Sequence, residues 1–484
     1  MEWAKEKTAA AAETVKDATS SVVESAPVQT ATSAAERAYD TAADYVPITT
    51  KENIPNMTAS IINSQPFASF KPDPANVWKG YLIYFLLAAG CTLPWWTFVL
   101  GADYFNFRYP MTHFLRLLPL VYLGPWLLVY CMFTALGRQY TSWARINIGL
   151  MISIFTLIVL PVMDGFFIKG DRGTTATFWV TIAVVALAGA GDAVAQGSLL
   201  GISSELPERF THAYVCGSSF SGIFMFIVRV ITKASLNSSP SGLRIGAIIY
   251  FSIGPLFLIG VLSLFAYVHY MPAMGYYDSL GLGNLDTVRL LVEDEATVTV
   301  EIAASAGIAA IAAGRSSPTQ PLEYGPVLSR VKLLVIGVAI TSLLSMTIFP
   351  GFLAETVHSK YLGSWYPILL IGTYVVFDFL GRFLTRHSTY DRQSTLFGAS
   401  WARLLLLLFF VFSVFGYGPV KTPMVFTLTA VLGITNGFLI ACFNILIPRC
   451  NPSNQAESAG IIMVTFMTLG SLIGAGLSWL WVLV

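Results

Sequence analysis

Two pairs of polar residues stand in otherwise apolar runs of this sequence. Asp378 and Arg382 lie four apart in TYVVFDFLGRFLTR, and Asp192 and Gln196 lie four apart in ALAGAGDAVAQGSLLG. In a helix that spacing puts both members on one face. A charge at the middle of a membrane span costs roughly 3 kcal/mol or more, so each pair needs a reason to be there. A carboxylate beside a guanidinium can point fixed charges at a polar solute, or it can be a salt bridge that ties helices together. The sequence leaves both open. Gln196 offers donor and acceptor on one amide, which suits the edge of a nucleobase; an interhelical hydrogen bond is the alternative. Asp192 has no basic residue on its own run. Either it pairs with a cation from another run, such as Arg229, or it gains and loses a proton. Asp164 stands nearer the end of its run and says less. Pro94 interrupts a backbone ladder and is expected to kink its helix. Trp95 and Trp96 follow it near mid-span, away from the interfacial positions where Trp is enriched. One of these faces could stack on a flat ring, and ordinary packing accounts for at least one of them.

The elements that must hold these residues follow from the apolar runs. The chain is 55% hydrophobic and only 11% charged, with mean hydropathy +0.66, well below the charge content of soluble domains. A membrane-crossing helix needs about 20 apolar residues. Eleven runs qualify: 80–102, 113–136, 146–168, 175–202, 213–232 and 245–267, then 328–353, 366–384, 401–415, 424–447 and 459–483. We number them spans 1 to 11. The expected fold is an all-α membrane protein of six spans, a cytosolic loop over 271–326, and five more. Residues 1–76 are rich in Ala, Thr, Ser and Glu and are expected to be a disordered cytosolic tail without a signal peptide. Lys and Arg near span ends divide eleven against eight in favour of a cytosolic N-terminus and an outside C-terminus, with Arg403 counted in an inner loop. Asn237-Ser-Ser would then face outward as a glycan acceptor.

Several function classes drop out. A net charge of +1 suggests no nucleic-acid partner. Cys91, Cys131, Cys216 and Cys442 fall inside apolar runs, no CxxC spacing joins any of the five cysteines, and the scattered histidines form no metal motif. No nucleophile–base set or phosphate loop appears, so neither catalysis nor a cofactor is expected.

The strings themselves resemble the equilibrative nucleoside transporter family, in a plant-like form. They are LPW followed by DYF in span 1, AQGSLLGISSELP in span 4, CGSSFSG in span 5, IFPGF in span 7 and FDFLGR in span 8. TNGFLIAC and ESAGIIM in spans 10 and 11 complete the set, and the resemblance runs through nearly all of 78–484. It implies a major-facilitator-like 6+5 arrangement and nucleoside transport by rocking of two halves around a midplane site. By resemblance, Trp95 lines the cavity, Gln196 reads the nucleobase, and Asp378 with Arg382 engages the ribose. Three positions depart from many animal members: Trp96 replaces asparagine, Asp192 replaces glycine, and Gly217-Ser218-Ser219 replaces GQG. In the family a glycine near the first of these positions accompanies sensitivity to tight-binding nucleoside-analogue inhibitors, so the resemblance does not imply that sensitivity here. The extra aspartate fits plant-like members, some of them proton-coupled.

The resulting expectation is a carrier of purine and pyrimidine nucleosides, facilitative or proton-coupled. It acts as a monomer in the plasma membrane, with an endomembrane or the vacuole as the alternative. A facilitator-type carrier of nucleobases, organic cations or sugars is the competing reading. Against sugars, the loop between spans 2 and 3 is only LGRQYTSWAR. A receptor or scaffold would not require two polar i,i+4 pairs at mid-span.

Overall fold

With no water in the hydrocarbon region, each buried peptide group must bond within its own segment, and long apolar runs therefore become helices. The computed structural model describes residues 74–110, 112–136, 142–168, 172–205, 208–236, 240–268, 324–356, 362–386, 392–415, 421–451 and 455–482. The tail before residue 74, nearly all of the expected cytosolic loop, and the Asn237 acceptor lie outside these residues. The chain divides into two units. Met1–Val77 with Pro272–Pro321 makes one; Trp78–Met271 with Leu322–Val484 makes the other and holds every span.

Among the described residues, eleven helical segments are long and apolar enough to cross a membrane: Tyr81–Leu100, Phe114–Thr134, Ala144–Phe166, Thr175–Gly201, Arg209–Ala234, Ser241–Ala266, Tyr324–Glu355, Gly363–Leu384, Gln393–Ser413, Thr422–Arg449 and Ser458–Val482. Their order matches spans 1 to 11. Span 1 is helical through Pro94. Span 9 differs from expectation. It begins at Gln393, and two helical stretches, Gln393–Ala402 and Leu404–Phe415, meet at Arg403. Arg403 is therefore a buried mid-span residue and not an inner-loop cation. The span starts eight residues before the expected position, which the polar face of Gln393–Ala402 masks by lowering the local hydropathy.

Within the first half, span 4 packs on spans 2 and 3, and span 3 on span 6. In the second half, span 7 packs on spans 9 and 11, and span 8 on span 10. Span 5 meets span 8 and span 2 meets span 11, joining the halves. Small residues set the closest approaches, as packing between membrane helices requires. A Cβ at Gly189 would overlap the Tyr122 carbonyl, and one at Gly437 would overlap the Asp378 carbonyl. These two glycines thus press spans 4 and 10 against the backbones that carry the site. The exposed faces are apolar, with Leu128, Phe155, Leu256, Leu408 and Phe412 all uncovered, as a lipid-facing surface requires.

One end of the bundle is rich in ion pairs. Asp164 receives Arg108 at 2.6 Å and Arg244 at 2.9 Å, and the Tyr104 hydroxyl donates to it at 2.7 Å. Asp103 receives Arg229 at 2.5 Å and Lys233 at 3.0 Å. Two ties cross between the halves. Glu355 at the end of span 7 pairs with Arg116 and His113, each at 3.1 Å, and Lys233 donates to the Ser364 carbonyl at 2.7 Å.

Candidate functional site

The polar pairs singled out above face one cavity of about 200 Å³ between the halves. Trp95, Gln196, Asp378 and Arg382 all line it, as do Asp192 and Trp96. Spans 1, 2, 4 and 5 supply one wall, and spans 7, 8, 10 and 11 the other.

The span 8 pair is built into a network. Arg382 Nε donates to Asp378 Oδ2 at 2.9 Å, four residues along one helix face. Ser219 of span 5 donates to the same oxygen at 2.7 Å, and Asn436 Nδ2 of span 10 donates to Oδ1 at 2.7 Å. Three donors, one of them charged, compensate a carboxylate that is only 1% exposed. Arg382 also donates through Nη1 to the Val215 carbonyl at 3.1 Å and to Ser218 Oγ at 2.8 Å. Its Nη2 has no protein partner among the described residues. The pair is thus both a tie between spans 5 and 8 and a cavity-lining charged group.

Gln196 differs in kind. It is half-buried, and its amide has no hydrogen-bond partner among the described residues. The interhelical bond that would have explained it as glue is not formed. One turn away, Asp192 is 3% exposed. Its Oδ2 accepts from the Tyr122 hydroxyl at 3.0 Å, while among the described residues Oδ1 has no partner at hydrogen-bond geometry, with Trp126 the nearby side-chain donor. The expected alternative pairing with Arg229 does not occur, because Arg229 lies at the far end of span 5 and holds Asp103. Among the described residues no cation pairs with Asp192. It is the cavity's carboxylate without a counter-charge.

Aromatic rings close the cavity. Trp95 meets Tyr122 edge-on, with centroids 5.2 Å apart, and remains partly uncovered. Trp96 is buried and packs at 6.0 Å on Phe349, whose ring stacks on Tyr374 at 4.1 Å. Trp96 therefore serves mainly as packing, whereas Trp95 keeps surface for a ligand.

Reasoning from the sequence passed over Asn436, Ser218 and Ser219. Each stood inside a quoted string, and asparagine in an apolar span was the available signal. What it bonds to was not legible, because its partner is 58 residues away.

Two packed helical halves around one polar cavity, in a lipid-facing shell, define a membrane carrier. Solved structures share the fold. A proton:xylose symporter of the major facilitator superfamily, XylE bound to 6-bromo-6-deoxy-D-glucose, aligns with TM-score 0.50 at 12% identity over 82% of this chain and 87% of that one. A double-tryptophan variant of XylE aligns with TM-score 0.54 at 14% identity over 84% and 95%. The fold is that of the major facilitator superfamily, with five spans in the second half. The model of the nucleoside transporter family matches residues 182–483. Equilibrative nucleotide transporter 1 of Arabidopsis thaliana is 33% identical over 430 residues, 88% of this chain and 91% of that protein. Equilibrative nucleotide transporter 8 of the same plant is 31% identical over 408 residues, covering 83% and 95%. The chain belongs to the nucleoside transporter family.

Proposed function

We propose that the protein carries purine and pyrimidine nucleosides across a membrane, by rocking its two halves around the cavity. The observation that carries this reading is the convergence of two uncommitted hydrogen-bonding groups on one cavity. They are the Gln196 amide on the first-half wall and Arg382 Nη2, beside Asp378, on the second-half wall. A nucleoside has a base edge at one end and a vicinal diol at the other. Gln196 would bond the base, Trp95 would offer it a ring face, and Asp378 with Arg382 would hold the ribose hydroxyls. Since one chain supplies both walls, a monomer suffices, and its action is carriage without catalysis. We read the N-terminus as cytosolic, the C-terminus as outside, and the plasma membrane as the site of action, with an endomembrane or the vacuole as the alternative.

Proton coupling through Asp192 is a second reading, favoured by its lack of any cationic partner beside the base-reading residue. Proton binding there would be linked to substrate binding, since both touch the same wall.

Uptake of labelled adenosine and uridine, in cells without their own carriers and at two external pH values, tests both. Saturable uptake of both nucleosides is expected. Uptake of an organic cation with no nucleoside uptake would overturn the first reading. Uptake that rises as external pH falls, with the dependence lost in Asp192→Asn, supports the second. A flat profile without accumulation removes it.

A further inference from the structure

A buried cation that the substrate-binding reading leaves unused, Arg403, lies behind the cavity wall. Arg403 is 4% exposed and does not line the cavity. Its guanidinium donates to the Thr341 carbonyl at 3.0 Å, the Leu432 carbonyl at 3.3 Å, Thr435 Oγ1 at 3.2 Å and Ser345 Oγ at 3.0 Å. No carboxylate pairs with it among the described residues. A guanidinium buried without a counter-ion is costly to maintain, so its position calls for an explanation beyond helix packing.

The bonds continue from it in one direction. Because Arg403 donates to Ser345, the serine oxygen acts as acceptor there and its own proton remains to be placed. The Asn436 Oδ1 atom lies 2.7 Å away and accepts it. The Thr341 carbonyl, which also receives Arg403, is the more distant acceptor at 2.9 Å. With Oδ1 of Asn436 engaged by the serine, the amide presents Nδ2 to Asp378 Oδ1 at 2.7 Å. A line of oriented donors therefore runs from span 9 through spans 7 and 10 to the carboxylate of span 8. Arg382 and Ser219 both load the other oxygen, Oδ2. The terminal torsion of an aspartate is soft, so the Asn436 bond is what holds the Oδ1 side of the carboxyl plane.

We propose that Arg403 is a positioning residue for the sugar-binding carboxylate, fixing Asp378 Oδ1 toward a ribose hydroxyl through Ser345 and Asn436. This rests on the reading that Asp378 and Arg382 hold the ribose. The charge on Arg403 also offsets that of Asp378 from behind, while Nη2 of Arg382 remains to face the substrate.

The test compares a ribonucleoside with one that lacks both ring hydroxyls. Labelled uridine uptake is measured in cells without endogenous carriers, with unlabelled adenosine or 2′,3′-dideoxyadenosine as competitor. Wild-type uridine uptake by itself tests the transport reading. The proposal is read from the ratio of the two inhibition constants. Adenosine is expected to compete more strongly than its dideoxy analogue in the wild type. Arg403→Met and Ser345→Ala are each expected to weaken adenosine about tenfold and the dideoxy analogue by less than about twofold. Arg403→Lys keeps the charge without the fork and should fall between. A merely structural Arg403 predicts less transporter at the membrane with the ratio unchanged, and that result overturns the proposal. So does equal competition by the two nucleosides in the wild type. Should Arg403→Met fail to reach the membrane, Arg403→Lys decides by the same ratio, since Ser345 itself lines the cavity and Arg403 does not.

Discussion

At the scale of single residues, the cavity separates groups already satisfied by protein from groups left free. Asp378 has three donors and Gln196 none. Replacing each therefore has a different meaning. Gln196→Ala removes a group that bonds only to ligand, so the protein should fold normally. Affinity for every nucleoside should fall by about 0.5–1.5 kcal/mol, roughly threefold to tenfold, read from the KM of uptake. Wild-type KM values would reduce Gln196 to a packing residue. Reversal of the span 8 pair, Asp378→Arg with Arg382→Asp, asks whether the pair is only a tie. The new guanidinium would face the Asn436 amide donors, and the new carboxylate would face the Val215 carbonyl. Transport should stay lost, because the surroundings are matched to one polarity. Full recovery in an uptake assay would make the pair a plain salt bridge.

Helices bring these residues into register through close backbone approach. The Asp378 backbone sits against Gly437 of span 10, immediately after Asn436, which bonds its side chain. Gly437→Ala forces spans 8 and 10 apart and should cost about 1–3 kcal/mol, as overpacking does. The midpoint of thermal unfolding of the purified protein should fall accordingly. Gly460→Ala is the control, since a Cβ there meets nothing within 4 Å. Equal midpoints for the two variants would mean that the contact carries no strain. Span 9 illustrates the opposite case. Its face toward lipid is greasy and its face toward spans 7 and 10 holds Ser400 and Arg403, both buried. Amphipathic membrane helices of this kind blur a hydropathy window, which is why residues 393–400 read as loop.

Across the whole molecule, the end that carries Glu355 is held shut by bonds between halves. Glu355 accepts from the Leu115 backbone N–H at 3.0 Å as well as pairing with Arg116 and His113. Rocking about the cavity must break these contacts and the Lys233–Ser364 bond. Glu355→Gln keeps the shape and removes the charge, leaving Arg116, only 3% exposed, without its carboxylate. That end should then open more often. A cysteine introduced at Met346, which lines the cavity, should react roughly tenfold faster with an impermeant thiol reagent added from the Glu355 side. An unchanged labelling rate would show that the latch does not limit opening.

Periodicity and composition were enough for the eleven spans, because burial in lipid obliges each apolar run to satisfy its own peptide groups. Spacing was likewise enough to put Asp378 beside Arg382 and Asp192 one turn from Gln196, since i,i+4 neighbours are a local property of one helix. Everything that depended on a second helix was out of reach. The candidate partner for Asp192 was Arg229, yet Arg229 holds Asp103 and Tyr122 meets the aspartate instead. Arg403 read as a loop cation, and its contact with the Asn436 network joins residues from four spans. A polar side chain inside a membrane protein takes whichever partner tertiary packing brings within 3 Å, and that choice is made by glycine contacts and helix crossings far away in the chain. The sequence supplies the charges and donors; only the packed bundle decides which are spent on one another and which remain for a substrate.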